Sequence, residues 1–223
     1  AVITGDPLYL EAHTAGDSHT YVCRLAWPQL PWTGDMKQDK RLADTWNFAE
    51  ALGLKFKTHN TVRDVGKKLN HGAGRWGTEY AFARSAKIPR ETAKEILYGR
   101  FWATFHVARD WILAEQARFR QNPQVLIEGL ELPRRFFGRP WDDSTFRDLL
   151  AFRLQAPIVW ATHVALWRLW HYLDDKDLRP GHGRLQVLKH DHDSVTVQVR
   201  EELVDKLLPE IKRLATVTIP CGA

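Results

Sequence analysis

Arg63, Lys67, His71 and Arg75 recur at every fourth position, so on a helix they drift by only roughly 40° per step and share one face. Two guanidiniums, an ammonium and an imidazole on one stripe form a cationic comb suited to a polyphosphate. Arginine forks two oxygens, and lysine acts as a point charge. Gly72, Gly74 and Gly77 fall in the same stretch, where a missing Cβ lets a ligand or a base pair approach the backbone. The alternative is a solvated basic helix, the common fate of a charge run.

A second cluster lies far downstream. His190-Asp191-His192-Asp193-Ser194 stands between RLQVLK and VTVQV, two stretches of alternating or β-branched residues, and reads as a β-hairpin with acids and imidazoles at its tip. The same residues raise the alternative of a transition-metal cluster, since residues two apart on a strand point the same way. A zinc site would need ligands beyond them.

The elements that must position these groups are mostly helical. Residues 1–26 read as helix ends and a turn, and WPQLPWTGD at 27–35 as a loop. Residues 36–118 read as helical, with Pro89 in a first helical turn. The segment from FRQNP to FFGRP holds short β-like runs carrying arginines. Residues 143–175 form a long helix, 179–184 a turn, and 201–215 an amphipathic helix after the hairpin. Trp167, Trp170 and His171 share a helical face, for which core packing is the expectation.

Composition sets wider bounds. With 223 residues and 44% apolar content the chain can bury a real core, as one module with two lobes. A net charge of +5 and a pI near 9.3 favour an acidic partner such as nucleic acid. Cys23 and Cys221 make no C-x-x-C pair, so neither a zinc site nor a disulfide framework is suggested. No apolar run approaches membrane-spanning length and no signal peptide opens the chain, which predicts a cytoplasmic protein without a membrane partner.

Taken in order along the chain, these stretches resemble the family A (polymerase I-like) DNA polymerases. Arg63-x3-Lys67-x3-His71-Gly72 is similar to the family's R-x3-K-x3-[aromatic]-G. AVITGD at 1–6 looks like its A-x-x-x-G-D, and Asp17-Ser18-His19-Thr20 like its D-x-H-T. Ile88-Pro89-Arg90-Glu91-Thr92-Ala93 resembles I-P-x-E-x-A, and an aromatic series follows at Phe101, Phe105 and Trp111. RRFFGR at 134–139 looks like the F-G-R turn, AFRLQ at 151–155 the phage-type glutamine segment, and His192-Asp193-Ser194 the H-D-[E/S] of the last catalytic motif.

The resemblance implies an α+β fold: a mostly helical fingers subdomain over 1–142, with the nucleotide-binding helix at about 61–76, and part of a palm with an antiparallel β-hairpin over 143–223. It implies a template-directed DNA polymerase that adds deoxynucleotides to a primer 3′ end, using two Mg²⁺ ions. Asp193, His192 and Lys67 would be catalytic, with Asp193 the metal ligand and Asp191 its rival. Arg63, Lys67, His71 and Trp76 would bind nucleotide, Arg75 being the rival of Trp76 for stacking on the templating base pair. Arg134, Arg139, Arg153 and Gln155 would meet DNA. The family's first carboxylate, in D-x-x-S-x-x-E-x-R, is not in this sequence. A second segment carrying it and the thumb is therefore expected as a partner, beside primer-template DNA and deoxynucleoside triphosphates. The H-D-S form leans toward a phage enzyme working in a bacterial cytoplasm. Competing readings are a non-catalytic nucleic-acid-binding protein with this fold, and an unrelated metal-dependent hydrolase using the H-D-H-D tip.

Overall fold

The computed structural model describes residues 4–127, 130, 132–175, 185–191 and 193–219. Its contacts divide the chain into two compact units, one built from 1–124 and 135–150, the other from 125–134 and 151–222.

The first unit is helical because its capping residues and apolar spacing leave little else open. Asp6 starts α1 (Pro7–Thr14) and Asp17 starts α2 (Ser18–Ala26), each accepting a backbone N–H three residues on. The segment expected to be helix ends and a turn is thus two capped helices. The Pro-rich stretch after α2 is the expected loop. Asp35 then caps α3 (Met36–Thr45), and Asn47 caps the short α4 (Phe48–Ala51). In α5 (Val62–Gly74) a capping box joins Thr61 and Asp64. The chain continues through α6 (Glu79–Ala86), α7 (Arg90–Lys94), a π-helical stretch (Glu95–Phe101), α8 (Trp102–Thr104) and α9 (His106–Gln121). Pro89 takes the position before α7 rather than its first turn.

Val62, Val65, Gly66, Leu69, Asn70 and Ala73 form the buried face of α5, at the i, i+3, i+4 spacing of an amphipathic helix. That face packs on α2. At Gly66 a Cβ would overlap the Cys23 sulfur, so glycine lets the two helices come close. The unit's core is aromatic: Phe101 meets Phe105 at 4.9 Å and Trp27 meets Phe48 at 5.1 Å between ring centroids. Asp6 is buried and also accepts the Ala108 N–H at 2.9 Å. The aspartate of the A-x-x-x-G-D stretch therefore ties α1 to α9.

The FRQNP to FFGRP region contains two short paired strands, β1 (Gln124–Ile127) and β2 (Leu132–Arg135). Helix α10 (Asp143–Asp175) follows over the expected range. Pro157 in its interior removes the N–H that would bond to the Arg153 carbonyl. In the second unit the hairpin of β3 (Leu185–His190) and β4 (Val195–Val199) is antiparallel, with Leu185 opposite Val199 and His190 opposite Val195. The register slips between Val187 and Lys189, a bulge that turns the strand near its tip. Leu169, Leu185, Leu207 and Ile211 form the core beneath it, the last two from amphipathic α11 (Val204–Ala215), which a 3₁₀ turn at Glu201–Leu203 precedes.

Two expectations are corrected here. Trp167 and Trp170 are 62% and 50% exposed, not core: α10 buries Leu169 instead, so the tryptophans fall on the helix's open side. The second is confined to the expectation that no apolar stretch approaches membrane-spanning length. Asp143–Tyr172 is long and apolar enough to cross a bilayer by length and composition, with a mean hydropathy of 1.3 over its most apolar window and 28% of that window buried. Arg153 and Arg168 interrupt any continuous apolar run, so only the window average shows it. The turn expected at 179–184 and Cys221 lie outside the described residues; Cys23 is a buried free thiol.

Candidate functional site

In the first unit Lys67, His71 and Arg75 lie exposed along α5, on the side opposite its buried stripe. They line a cavity of about 500 Å³ whose wall is completed by Ala81, Phe82 and Ser85 of α6 and by Leu97 of the π-helical stretch. Of the fourfold comb, three teeth face this space. The fourth is engaged elsewhere: the Arg63 guanidinium donates to both Asp17 carboxylate oxygens, at 2.8 and 3.2 Å, and lies 3.7 Å from Asp44.

Asp17 is therefore a junction. It caps α2 by accepting from the Thr20 N–H at 2.9 Å and the Thr20 hydroxyl at 2.5 Å while holding Arg63. Burial pushes its carboxyl pKa up, but hydrogen bonds from Arg63 and Thr20, with the Arg63 charge, hold it well below the usual carboxylate range. The pair's stabilisation is then present above the ordinary carboxylate pKa and fades as pH falls through it toward the depressed value. Arg63→Ala is expected to cost about 2–3 kcal/mol of stability at pH 7, because a half-buried carboxylate loses its fork. Urea unfolding checks this, and Arg63→Lys should restore less than half of the loss.

A polar relay reaches the cavity from below. The Tyr9 hydroxyl donates to the Asn70 carbonyl oxygen at 2.8 Å, the Asn70 amide lies 3.2 Å from His19 Nδ1, and the His19 and His71 rings are 5.0 Å apart. Burial, then Asp6, raises the Tyr9 pKa to about 12. His19 and His71 are both lowered. Burial is the larger cause in each; His71, Arg63 and Lys67 add to it at His19 against the opposing pull of Asp17, and Lys67 and Arg75 add to it at His71. Both imidazoles are thus biased toward the neutral form beside Lys67 and Arg75, in a cavity whose wall also holds Lys68 and the carboxylate of Asp64. The Asp17 to Thr20 stretch is recognisable in the sequence, but the roles of His19, Asn70 and Tyr9 are not. The His two places after a helix-capping Asp was the available signal.

The end of α5 has unusual backbone. The Trp76 N–H bonds to Ala73 O and the Gly77 N–H to Gly72 O, each at 2.8 Å, the paired closure that usually has glycine in left-handed conformation between. Here that residue is Trp76, at φ 54°. A bulky side chain there is strained, and its half-exposed ring rests 5.5 Å from Trp102. Arg75, its rival, is exposed in the cavity wall. Gly77 is fixed by space: a Cβ would come within 2.8 Å of the Gly72 oxygen. Gly77→Ala should therefore destabilise the protein by about 1–3 kcal/mol, read as a lowered unfolding midpoint.

In the second unit Asp191 and Asp193 are exposed at the hairpin tip, which the Asp191 N–H closes on the Ser194 oxygen at 2.9 Å. Asp191 pairs with Lys189 at 2.7 Å, whereas Asp193 has no ion pair among the described residues. His192 lies outside them, and no group of three or more His, Cys, Asp or Glu is gathered for a metal among the described residues. The His190 ring is 4.9 Å from that of His163. On α10 Arg153 is half-buried and Gln155 exposed, and Arg134 sits over the Phe152 ring at 5.0 Å. Arg139 is exposed in the first unit.

This α+β arrangement is the fold of part of a DNA polymerase domain. The chain is similar over 96% of its length to the POL domain of Pol1 from M. smegmatis, solved in complex with DNA primer-template and dNTP, with a TM-score of 0.71 and 19% identity. It spans 33% of that chain. No protein-family model matches it, and no curated protein does.

Proposed function

We propose that this chain is part of a template-directed, phage-type family A DNA polymerase, which extends a primer 3′ end and needs a second segment for the first catalytic carboxylate and the thumb. The observation that carries the reading is the cavity on α5. Lys67 and Arg75, with His71 and His19 beside them, are arranged for a polyphosphate on a fold shared with a polymerase domain solved with dNTP.

Phosphoryl transfer depends chiefly on positioning and charge neutralisation. Lys67 and Arg75 neutralise the triphosphate, and His71 offers an imidazole face to sugar and base. Trp76 presents a planar ring to the templating pair, which gives its strained backbone a use. Arg63 acts through Asp17, holding α2 and thereby His19 in register with α5. Arg153 and Gln155 meet the duplex, and Arg134 and Arg139 its phosphates.

Hard carboxylate oxygens are the donors Mg²⁺ prefers, and Asp193, unlike Asp191, has no competing lysine among the described residues. Asp193 would therefore hold the metal, with the second carboxylate coming from the other segment. Two Mg²⁺ ions, when bound, activate the attacking hydroxyl and neutralise charge at the leaving pyrophosphate.

The experiment is primer extension with Mg²⁺ and all four deoxynucleotides. The 223-residue chain alone should extend nothing, and extension should return on adding a polymerase segment with D-x-x-S-x-x-E-x-R and a thumb. Robust extension by the chain alone, absent in an Asp193→Ala control, would overturn the need for a second segment. DNA binding without extension in any combination would favour the non-catalytic reading.

A further inference from the structure

Phe137 is 96% exposed, and Trp141, four residues on, is 66% exposed. Both stand on a turn that is built rather than loose. Phe136, immediately before, is buried and meets Phe119 edge to face at 5.5 Å and 90°. Gly138, immediately after, backs onto buried Thr145 so closely that a Cβ would overlap the threonine hydroxyl. The Asp142 N–H closes the turn on the Arg139 oxygen at 3.0 Å. With one neighbour anchored inward and the other packed against α10, Phe137 is held facing water, at an evident hydrophobic cost.

The charges around it select the occupant. Arg135, at the end of β2, and Arg139, on the turn, are both exposed, while Asp142 and Asp143 stand at the start of α10, where the helix dipole balances acidic charge. Two exposed aromatic rings alternating along the chain with exposed arginines match an unpaired nucleic-acid strand, whose bases stack on rings and whose phosphates meet arginine. Phosphates give both arginines charge-assisted partners, which an apolar protein surface would not.

We propose that Phe137 and Trp141 form a stacking platform for unpaired nucleotides of a DNA strand, with Arg135 and Arg139 on the flanking phosphates. This deepens the polymerase reading by locating single-stranded template, yet its test needs no catalysis.

The test measures binding of the purified chain to a labelled primer-template with a 5′ overhang and to a blunt duplex of equal paired length. Phe137→Ala should weaken overhang binding about tenfold and blunt binding less than about twofold. Phe137→Trp should retain it, and 2-aminopurine in the overhang should lose its quenching in Phe137→Ala. Because the side chain is exposed, circular dichroism and unfolding midpoint should match wild type in both variants. Equal loss on overhang and blunt DNA, or no loss on either, overturns the proposal. So does unchanged DNA binding with weakened association to the second polymerase segment, which would make the turn a protein contact. Overhang-selective loss in a chain that never supports extension would leave the platform standing and the polymerase reading fallen.

Discussion

Asp193→Ala is expected to abolish nucleotide incorporation by the proposed polymerase assembly while leaving primer-template affinity within about twofold of wild type, since it removes the proposed metal ligand and no basic surface. The hairpin is closed by backbone pairing of Asp191 with Ser194, so the exposed side chain can be trimmed without loss of the tip. Single-nucleotide incorporation under saturating substrate checks this. Activity within about threefold of wild type would remove Asp193 from the metal site. Asp191→Ala is the paired measurement: breaking its exposed ion pair with Lys189 should have little effect on stability, and a loss of incorporation as complete as that of Asp193→Ala would assign the metal to Asp191 as well.

If the proposed function holds, Lys67→Ala is expected to lower incorporation efficiency by roughly tenfold or more, the typical cost of about 1.5–3 kcal/mol for a charge-assisted contact, with primer-template affinity little changed. The side chain is exposed on the cavity wall, so the loss should fall on triphosphate use and not on folding. This contrasts with Arg63→Ala, whose effect on nucleotide use should come with a stability loss. The two variants therefore separate a direct contact from a positioning one. A polyphosphate near His19 and His71 favours their charged forms, reversing the lowering seen at both. Triphosphate binding should accordingly take up protons and strengthen as pH falls toward the histidine range. Loss of DNA affinity with a shallower salt slope in Lys67→Ala, and normal nucleotide use, would make the stripe a DNA-backbone site.

The parts legible in the sequence were those written in local spacing. In α5 the buried positions interleave with Lys67, His71 and Arg75, so one helical period fixes both the core face and the cationic face. The hairpin was equally readable from its alternation, and α10 from its long run without a terminating glycine. What escaped depends on partners distant in sequence. Arg63 meets Asp17 across 46 positions, which no spacing rule connects, so all four cations looked alike. Asn70 sits on the buried face of α5, and only the fold shows that Tyr9 and His19 come to meet it. Trp167 and Trp170 were misplaced because a helix pattern shows which residues share a side, not which side finds a neighbour.

The glycine at position 66 bears on how the protein can move. With the Cys23 sulfur where a side chain would be, and the Arg63 to Asp17 fork beside it, α2 and α5 interlock over both shape and charge. Neither can slide or roll without breaking an ion pair and opening a void in a dense interior. A swing of the basic helix onto a substrate would therefore carry α2 and His19 as one lever arm, preserving the spacing between imidazole and lysine throughout the stroke. Any hinge must lie outside this pair, where the chain enters and leaves it.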